Sequence, residues 1–430
     1  MVEAEGMPAW YRRIRILVVI AAAVVAAGVA QPAHSMGETG AAGQSSSKVH
    51  HRRSHSHQHS RRAAPVVMYH AALLEDADTG RILYADNPNL VWPPASMAKM
   101  MLLLVASDQI AAGRVSFNTP VRISELSAMT HGSRLGLHEG EVYPLGELMK
   151  AALIKSANDA AVAVAEAVGG SVEGAVRLMN AKAQSLGMTN TEYQTVDGLP
   201  PTPDHDVDRT SPLDLATVAR ALIHTTNLLQ WSGMETALFD GSVVLHNTNH
   251  LIGRYEGCDG LKTGFTMQAG FNLTATARRG DMRLLSVILG APSNPERFIQ
   301  TQKLLDYGFA NFAKVELLKH GEALPVHVQV DQGPAIQPVA ESDLALVLRK
   351  NEVADVKLEY SVPPMVNGPV ALGAPLGQVI VHDGGIVMTQ VAAISPVAVG
   401  TTQILNNVPL PPVENSGRST IMNDAAQEKQ

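Results

Sequence analysis

Pro93-Pro94-Ala95-Ser96-Met97-Ala98-Lys99, running directly into Met100-Met101-Leu102-Leu103-Leu104-Val105-Ala106-Ser107-Asp108-Gln109-Ile110, is the stretch that decides this fold. Met100 to Ile110 is too densely apolar for a surface helix, so the pattern predicts a helix inside a core. Ser96 then falls at the N-cap or first turn of that helix. Lys99, three residues on, is about 300° round and about 4.5 Å along, which lets its amine reach the serine hydroxyl. Ser-x-x-Lys alone is ordinary, because serine is a common N-cap and lysine a common helix-surface residue. Burial changes the weighing: a lysine on an all-round apolar helix must snorkel or own a polar pocket, and desolvation lowers its pKa towards general-base use.

Upstream, Met68 to Asp76, then Asp78-Thr79-Gly80, then Arg81-Ile82-Leu83-Tyr84 read as a hairpin. Downstream, Lys155-Ser156-Ala157-Asn158-Asp159 joins predicted helices at Leu145 to Ile154 and Ala160 to Val168, by itself an unremarked helix junction. Further on, Asp259-Gly260-Leu261-Lys262-Thr263-Gly264-Phe265-Thr266 leads into Ala269 to Ala277. A turn at Arg278-Arg279-Gly280-Asp281 returns the chain through Met282 to Leu289. These are antiparallel strands with Lys-Thr-Gly near the start. Gly264, lacking a side chain, is expected to let a substrate lie close to the strand edge.

Ser96-x-x-Lys99, Ser156-x-Asn158 and Lys262-Thr263-Gly264, in this order, resemble the serine penicillin-recognising enzymes. With Ala269-Gly270 and Lys303-Leu304-Leu305-Asp306-Tyr307-Gly308-Phe309, the resemblance narrows to low-molecular-mass penicillin-binding proteins that are serine-type D-alanyl-D-alanine carboxypeptidases, over about residues 66 to 312. The resemblance implies an α/β catalytic domain, with an antiparallel sheet flanked by helices and a helical half beside it. It implies Ser96 as acylated nucleophile, Lys99 as general base, Ser156 as proton relay and Asn158 on the substrate amide. Lys262, Thr263 and Arg297 would hold the terminal carboxylate. Amide cleavage also needs donors at the developing oxyanion, and the backbone N–H groups of Ser96 and Phe265 are the expected pair. A bidentate guanidinium suits a free carboxylate, although Arg297 also reads as a plain helix-surface residue. The implied substrate is a peptidoglycan pentapeptide, with β-lactams as covalent inhibitors and no cofactor. Phe265 stands where some relatives carry histidine, leaving the backbone donor but altering pocket polarity.

Composition agrees with an enzyme body. The 430 residues are 46% hydrophobic and 17% charged, which is globular usage and long enough for more than one domain. A net charge of -7 and 4% aromatic content argue against nucleic-acid binding. One cysteine, Cys258, excludes an intrachain disulfide and reads as a small strand residue rather than a second nucleophile. His131 reads as a loop histidine, and no metal is expected.

Arg12, Arg13 and Arg15 precede the apolar run Ile16 to Ala30, the order of a secretory signal, cleaved or retained as a short anchor. Residues 1–30 therefore carry the only expected membrane association, and the expected place is the bacterial periplasm or cell envelope. Residues 31–65 are rich in Gly, Ser, His and Arg and read as a linker; His50, His51, His55, His57 and His59 sit on it as a solvated tether rather than a fixed metal site. After the 66–312 catalytic domain, residues 313–400 carry short apolar runs at Lys314 to Leu318, Val326 to Val330, Leu344 to Leu348, Val356 to Tyr360 and Gly377 to Val381, a small all-β C-terminal domain. Pro409, Pro411, Pro412 and Gly417 break the 401–430 tail, so no amphipathic membrane helix is expected there.

Two other readings compete with the carboxypeptidase. One is a D,D-endopeptidase or β-lactamase on the same fold; no Glu-x-x-Leu-Asn stretch lies between Ser156 and Lys262, so a penicilloyl ester should hydrolyse slowly. The other is a non-catalytic cell-wall scaffold, which has no need of Ser96, Lys99, Ser156, Asn158 and Lys262 together.

Overall fold

A computed structural model describes residues 68–199, 206–351, 356–383 and 385–400. The expected signal, the histidine-bearing linker and the C-terminal tail lie outside them. The described residues form two compact units, one of residues 68–317 with 344–357 and one of residues 318–343 with 358–400.

The first unit opens with a hairpin, β1 (Ala71–Asp76) and β2 (Ile82–Asp86), whose turn is closed by the Thr79 backbone N–H donating to the Asp76 carboxylate at 3.0 Å. A 3-10 turn at Ala95–Ala98 leads into α1 (Lys99–Ala111). Next come β3 (Pro120–Arg122), α2 (Glu125–Ala128), β4 (Val142–Pro144), α3 (Leu145–Ile154), α4 (Asn158–Gly169) and α5 (Val172–Ser185). Then follow α6 (Pro212–Thr225), α7 (Leu229–Ser232) and the small hairpin β5 (Thr236–Phe239) and β6 (Val243–His246). The long meander β7 (Cys258–Thr266), β8 (Gly270–Arg279) and β9 (Met282–Ala291) precedes α8 (Asn294–Asn311) and β10 (Phe312–Leu318). Helix starts follow capping chemistry: Ser211 accepts from the Asp214 N–H ahead of α6, and Ser293 accepts from the Glu296 N–H ahead of α8.

The main sheet has the order β2-β1-β9-β8-β7, antiparallel throughout, which leaves β7 on an edge. Strand periodicity sorts its two faces. Ala71, Leu73, Leu285, Val287 and Leu289 join the helical half, in which α1 is surrounded by α3, α4, α5 and α6. Ala72, Leu74, Leu273, Ala275, Leu284 and Ile288 face Phe298, Leu304 and Leu305 of α8. Helix α1 is buried from Lys99 to Ala106, as its all-round apolar sequence requires.

In the second unit β11 (Val328–Val330), β12 (Ala335–Ile336) and β16 (Met365–Val366) form one sheet. A second sheet has the order β13-β18-β17-β15, from β13 (Val339–Ala340), β15 (Val356–Ser361), β17 (Pro375–Asp383) and β18 (Ile386–Ile394). Val328, Val330, Ile336, Val370, Leu376 and Val399 make a core of their own. The run Leu344 to Leu348 is β14 (Leu344–Arg349), which pairs with β10 and belongs to the first unit. Strand β18 escaped the sequence reading because Thr389 and Gln390 break its apolar run.

Candidate active site

Ser96 lies on the 3-10 turn between Pro94 and the first residue of α1, a difference from the expected N-cap: its hydroxyl caps no backbone N–H. The turn departs from the helix because Ala95 has φ +50, a left-handed value. The hydroxyl is thereby half-buried and reachable, while Lys99 behind it is completely enclosed. Lys99 Nζ donates to Ser96 Oγ at 2.9 Å, to Asn158 Oδ1 at 2.7 Å and to the Asp197 carbonyl at 2.8 Å, so all three donors of an ammonium have partners. Burial lowers its pKa to about 8, against the opposing pull of Asp197, Asp208 and Asp159.

The α3–α4 junction presents the second group. Ser156 takes φ +63 between the helices, and Ala157 rather than Ser156 is the N-cap of α4. A left-handed serine costs about 1 kcal/mol and needs surroundings that enforce it. Here Ser156 Oγ accepts from Lys262 Nζ at 2.8 Å, whose other acceptor is the Thr263 carbonyl at 2.8 Å. Lys262 is buried, and burial with Lys99 and Arg297 nearby pushes its pKa well below the usual lysine value. Asn158 Nδ2 donates to the His131 carbonyl at 2.6 Å, so His131 contributes its backbone while its exposed ring stays outside this contact.

Strand β7 supplies the third group. Thr263 Oγ1 donates to Thr248 Oγ1 at 2.7 Å. Gly264 has a reason within the fold that the sequence did not show: a Cβ there would lie 2.5 Å from the Pro94 carbonyl oxygen and 3.3 Å from Ala95 Cβ, so the missing side chain lets the strand close on the Ser96 turn. Phe265 is largely exposed, its ring stacked on Phe271 at 4.2 Å. Arg297 is 7% exposed, so it is no helix-surface residue. Its Nη1 donates to the carbonyls of Gly264 (3.1 Å) and Asn272 (3.2 Å), its guanidinium lies over Phe271 and Phe298, and desolvation brings its pKa down to about 10. Burial pushes the Cys258 thiol up to about 11, away from the thiolate form that nucleophilic cysteines use.

Several residues that complete the site escaped the sequence reading. Asn272 Nδ2 donates to the Pro93 carbonyl at 2.9 Å and fastens β8 to the segment ahead of Ser96. Asp159, fully buried, accepts the backbone N–H groups of Leu135, Gly136, Leu137 and Ala160. Asp197 acts through its carbonyl, which no side-chain pattern reveals; the Asp197-Gly198 turn pair was the one available signal.

A serine hydroxyl, a buried amine within hydrogen-bond reach and a second serine on a second buried lysine can perform acyl transfer. The family model described as D-alanyl-D-alanine carboxypeptidase, peptidase S11, matches residues 58–293. The chain belongs to the D-alanyl-D-alanine carboxypeptidase family. It is 34% identical to the D-alanyl-D-alanine carboxypeptidase DacF of Bacillus subtilis over 76% of this chain and 84% of that protein. To DacC of Escherichia coli it is 31% identical over 74% and 80%. Penicillin-binding protein 5 of Haemophilus influenzae superposes with a TM-score of 0.68 at 29% identity, covering 78% of this chain and 99% of that one. Penicillin-binding protein D2 of Listeria monocytogenes, in its ampicillin-bound form, superposes with a TM-score of 0.52 at 30% identity, covering 56% and 98%. The expected carboxypeptidase family and penicillin-recognising fold are thus the observed ones.

Proposed function

We propose that this chain removes the terminal D-alanine from peptidoglycan pentapeptide stems through an ester on Ser96. The observation that carries the assignment is the enclosed Lys99 amine 2.9 Å from Ser96 Oγ. In its neutral form Lys99 takes the hydroxyl proton as Oγ bonds to the carbonyl carbon of the penultimate D-alanine. The backbone N–H groups of Ser96 and Phe265 meet the oxyanion, and the edge position of β7 leaves alternate N–H groups of that strand without a sheet partner. As the C–N bond breaks, Ser156 passes a proton to the departing nitrogen, drawing on Lys262, its hydrogen-bond partner. Water then adds to the ester carbonyl, its proton passing through Ser156 back to Lys262, and Lys99 returns its own proton to Ser96 Oγ as the C–Oγ bond breaks, which releases the shortened peptide acid and restores both lysines.

Lys262, Thr263 and Arg297 hold the terminal carboxylate. Arg297 Nη1 is already occupied by two carbonyls, which fixes the guanidinium plane and leaves Nη2 for the substrate. Asn158 reaches a substrate amide by giving up the His131 carbonyl. A β-lactam enters the same sequence and stops at the ester. The basic and apolar segment of residues 1–30 supports export to the periplasm or cell envelope, where this substrate lies.

The purified chain, incubated with a pentapeptide ending in D-Ala-D-Ala, should release D-alanine, and Ser96→Ala should release none. A folded wild-type chain that neither releases D-alanine nor takes up labelled penicillin would overturn the assignment. Uptake of penicillin without D-alanine release would move it to another acyl-transfer substrate.

A further inference from the structure

We infer that Asp208 is a positioning residue for Lys99, its carboxylate tying down the loop that delivers the Asp197 carbonyl to the amine. This rests on Lys99 being the base that activates Ser96. Asp208 Oδ1 accepts the backbone N–H groups of Gln194 (2.6 Å) and Thr195 (2.8 Å), and Oδ2 accepts the Thr195 hydroxyl at 2.9 Å. Thr195 Oγ1 in turn accepts the Gly198 N–H at 2.9 Å, which closes the loop into a turn. The turn encloses Val196 and Asp197, and the Asp197 carbonyl accepts Lys99 Nζ at 2.8 Å. Gly198 also lies against the Ser96 turn: a Cβ there would sit 2.0 Å from the Ala95 carbonyl oxygen and 2.8 Å from Ser96 N. One carboxylate, thirteen residues from Thr195 in sequence, therefore sets both the third acceptor of the base and the surface behind the nucleophile's backbone N–H.

The arrangement is directional. Asp208 and Thr195 are themselves buried, so neither water nor another side chain replaces a lost bond without rearrangement. Lys99 receives no direct bond from Asp208; its direct partners are Ser96, Asn158 and Asp197. The charged groups that bear on the amine are Asp159 from α4, Asp197 from this loop, Asp208 that holds it, and Lys262 from β7. Asp208 thus acts in two separable ways, through the hydrogen-bonded loop and through its negative charge.

Two variants separate these actions. Thr195→Val keeps the charge and removes the hydroxyl link between the carboxylate and Gly198. Asp208→Asn keeps the size, removes the charge and can accept only part of the same bonds. The measurement is the second-order rate of labelled-penicillin acylation of the purified chain as a function of pH, with wild type and Ser96→Ala alongside. Thr195→Val should acylate slower by roughly tenfold to a hundredfold, the range expected when a catalytic group is displaced by about 1 Å, with the acidic limb of its profile unmoved. Asp208→Asn should be slowed likewise, and its acidic limb should move to lower pH because a charge that favours protonated Lys99 is gone. Folded variants, by circular dichroism, that acylate at the wild-type rate with the wild-type limb would overturn the inference. If Asp208→Asn does not fold, Thr195→Val and Asp208→Glu decide the matter through the rate. A wild-type chain that is not acylated would instead sink the underlying Ser96–Lys99 assignment.

Discussion

Lys99 has ordinary lysine chemistry made useful by its enclosure. The free amine's pKa of 10.5 falls to about 8 because no solvent reaches the ammonium, and the three aspartates nearby limit the fall. Acylation by labelled penicillin should accordingly rise as pH passes through about 8, the value at which Lys99 loses its proton. In Lys99→Met the rise should disappear and the rate should drop by at least about a hundredfold, the lower end of the range for a general base. Ser96, Lys99, Ser156, Asn158 and Lys262, which the ordered motifs singled out by resemblance, are joined in the structure by side-chain hydrogen bonds from Lys99 to Ser96 and Asn158 and from Lys262 to Ser156. Asp208 and Asp159 were not legible, since each binds backbone N–H groups of segments folded against it, and such partners leave no pattern.

At the scale of elements, the site is a seam where β7, the Ser96 turn and the α3–α4 junction meet. Gly264 holds the first two together at a distance no side chain fits, so Gly264→Ala should push β7 from the turn. Overpacking of this kind costs about 1 to 3 kcal/mol, and the test is a lowered urea midpoint together with slower penicillin acylation. Asp159 fixes the Leu135–Leu137 segment to the start of α4, two residues from Ser156. Asp159→Ala would leave the buried N–H groups of Leu137 and Ala160 without this acceptor, at about 1 to 3 kcal/mol each before relaxation, and should expose the Leu135–Leu137 segment to limited proteolysis. Helices α1, α3 and α4, the first hairpin and the strands around Lys262 followed from apolar patterning and turn residues; α5 and α6 were not read. The 3-10 turn did not, because its cause is the left-handed Ala95, a conformation forced by what surrounds it.

For the whole molecule, stability should carry a pH signature from Glu75 on β1. Burial raises its carboxyl to about 7 although Arg220 Nε lies 3.1 Å away. A carboxyl whose folded pKa is raised contributes stability that is fully present below its ordinary 4.5 and is lost as pH rises through about 7. Melting temperatures of wild type and Glu75→Gln across that window should diverge in this sense, the variant falling less steeply. An identical pH slope for the two proteins would show that Glu75 titrates alike in the folded and unfolded chain. The sequence by itself determined that α1 is a core helix and in what order the motifs arrive, and the fold class came with the resemblance those motifs carry, because apolar periodicity fixes which faces are buried and not how the elements assemble. Only the tertiary structure decided which backbone groups complete the site, why Gly264 is glycine and how β10 and β14 pair in the first unit. Those are contacts between segments tens to hundreds of residues apart, and their energy comes from desolvation and close packing that exist only once the chain has closed on itself.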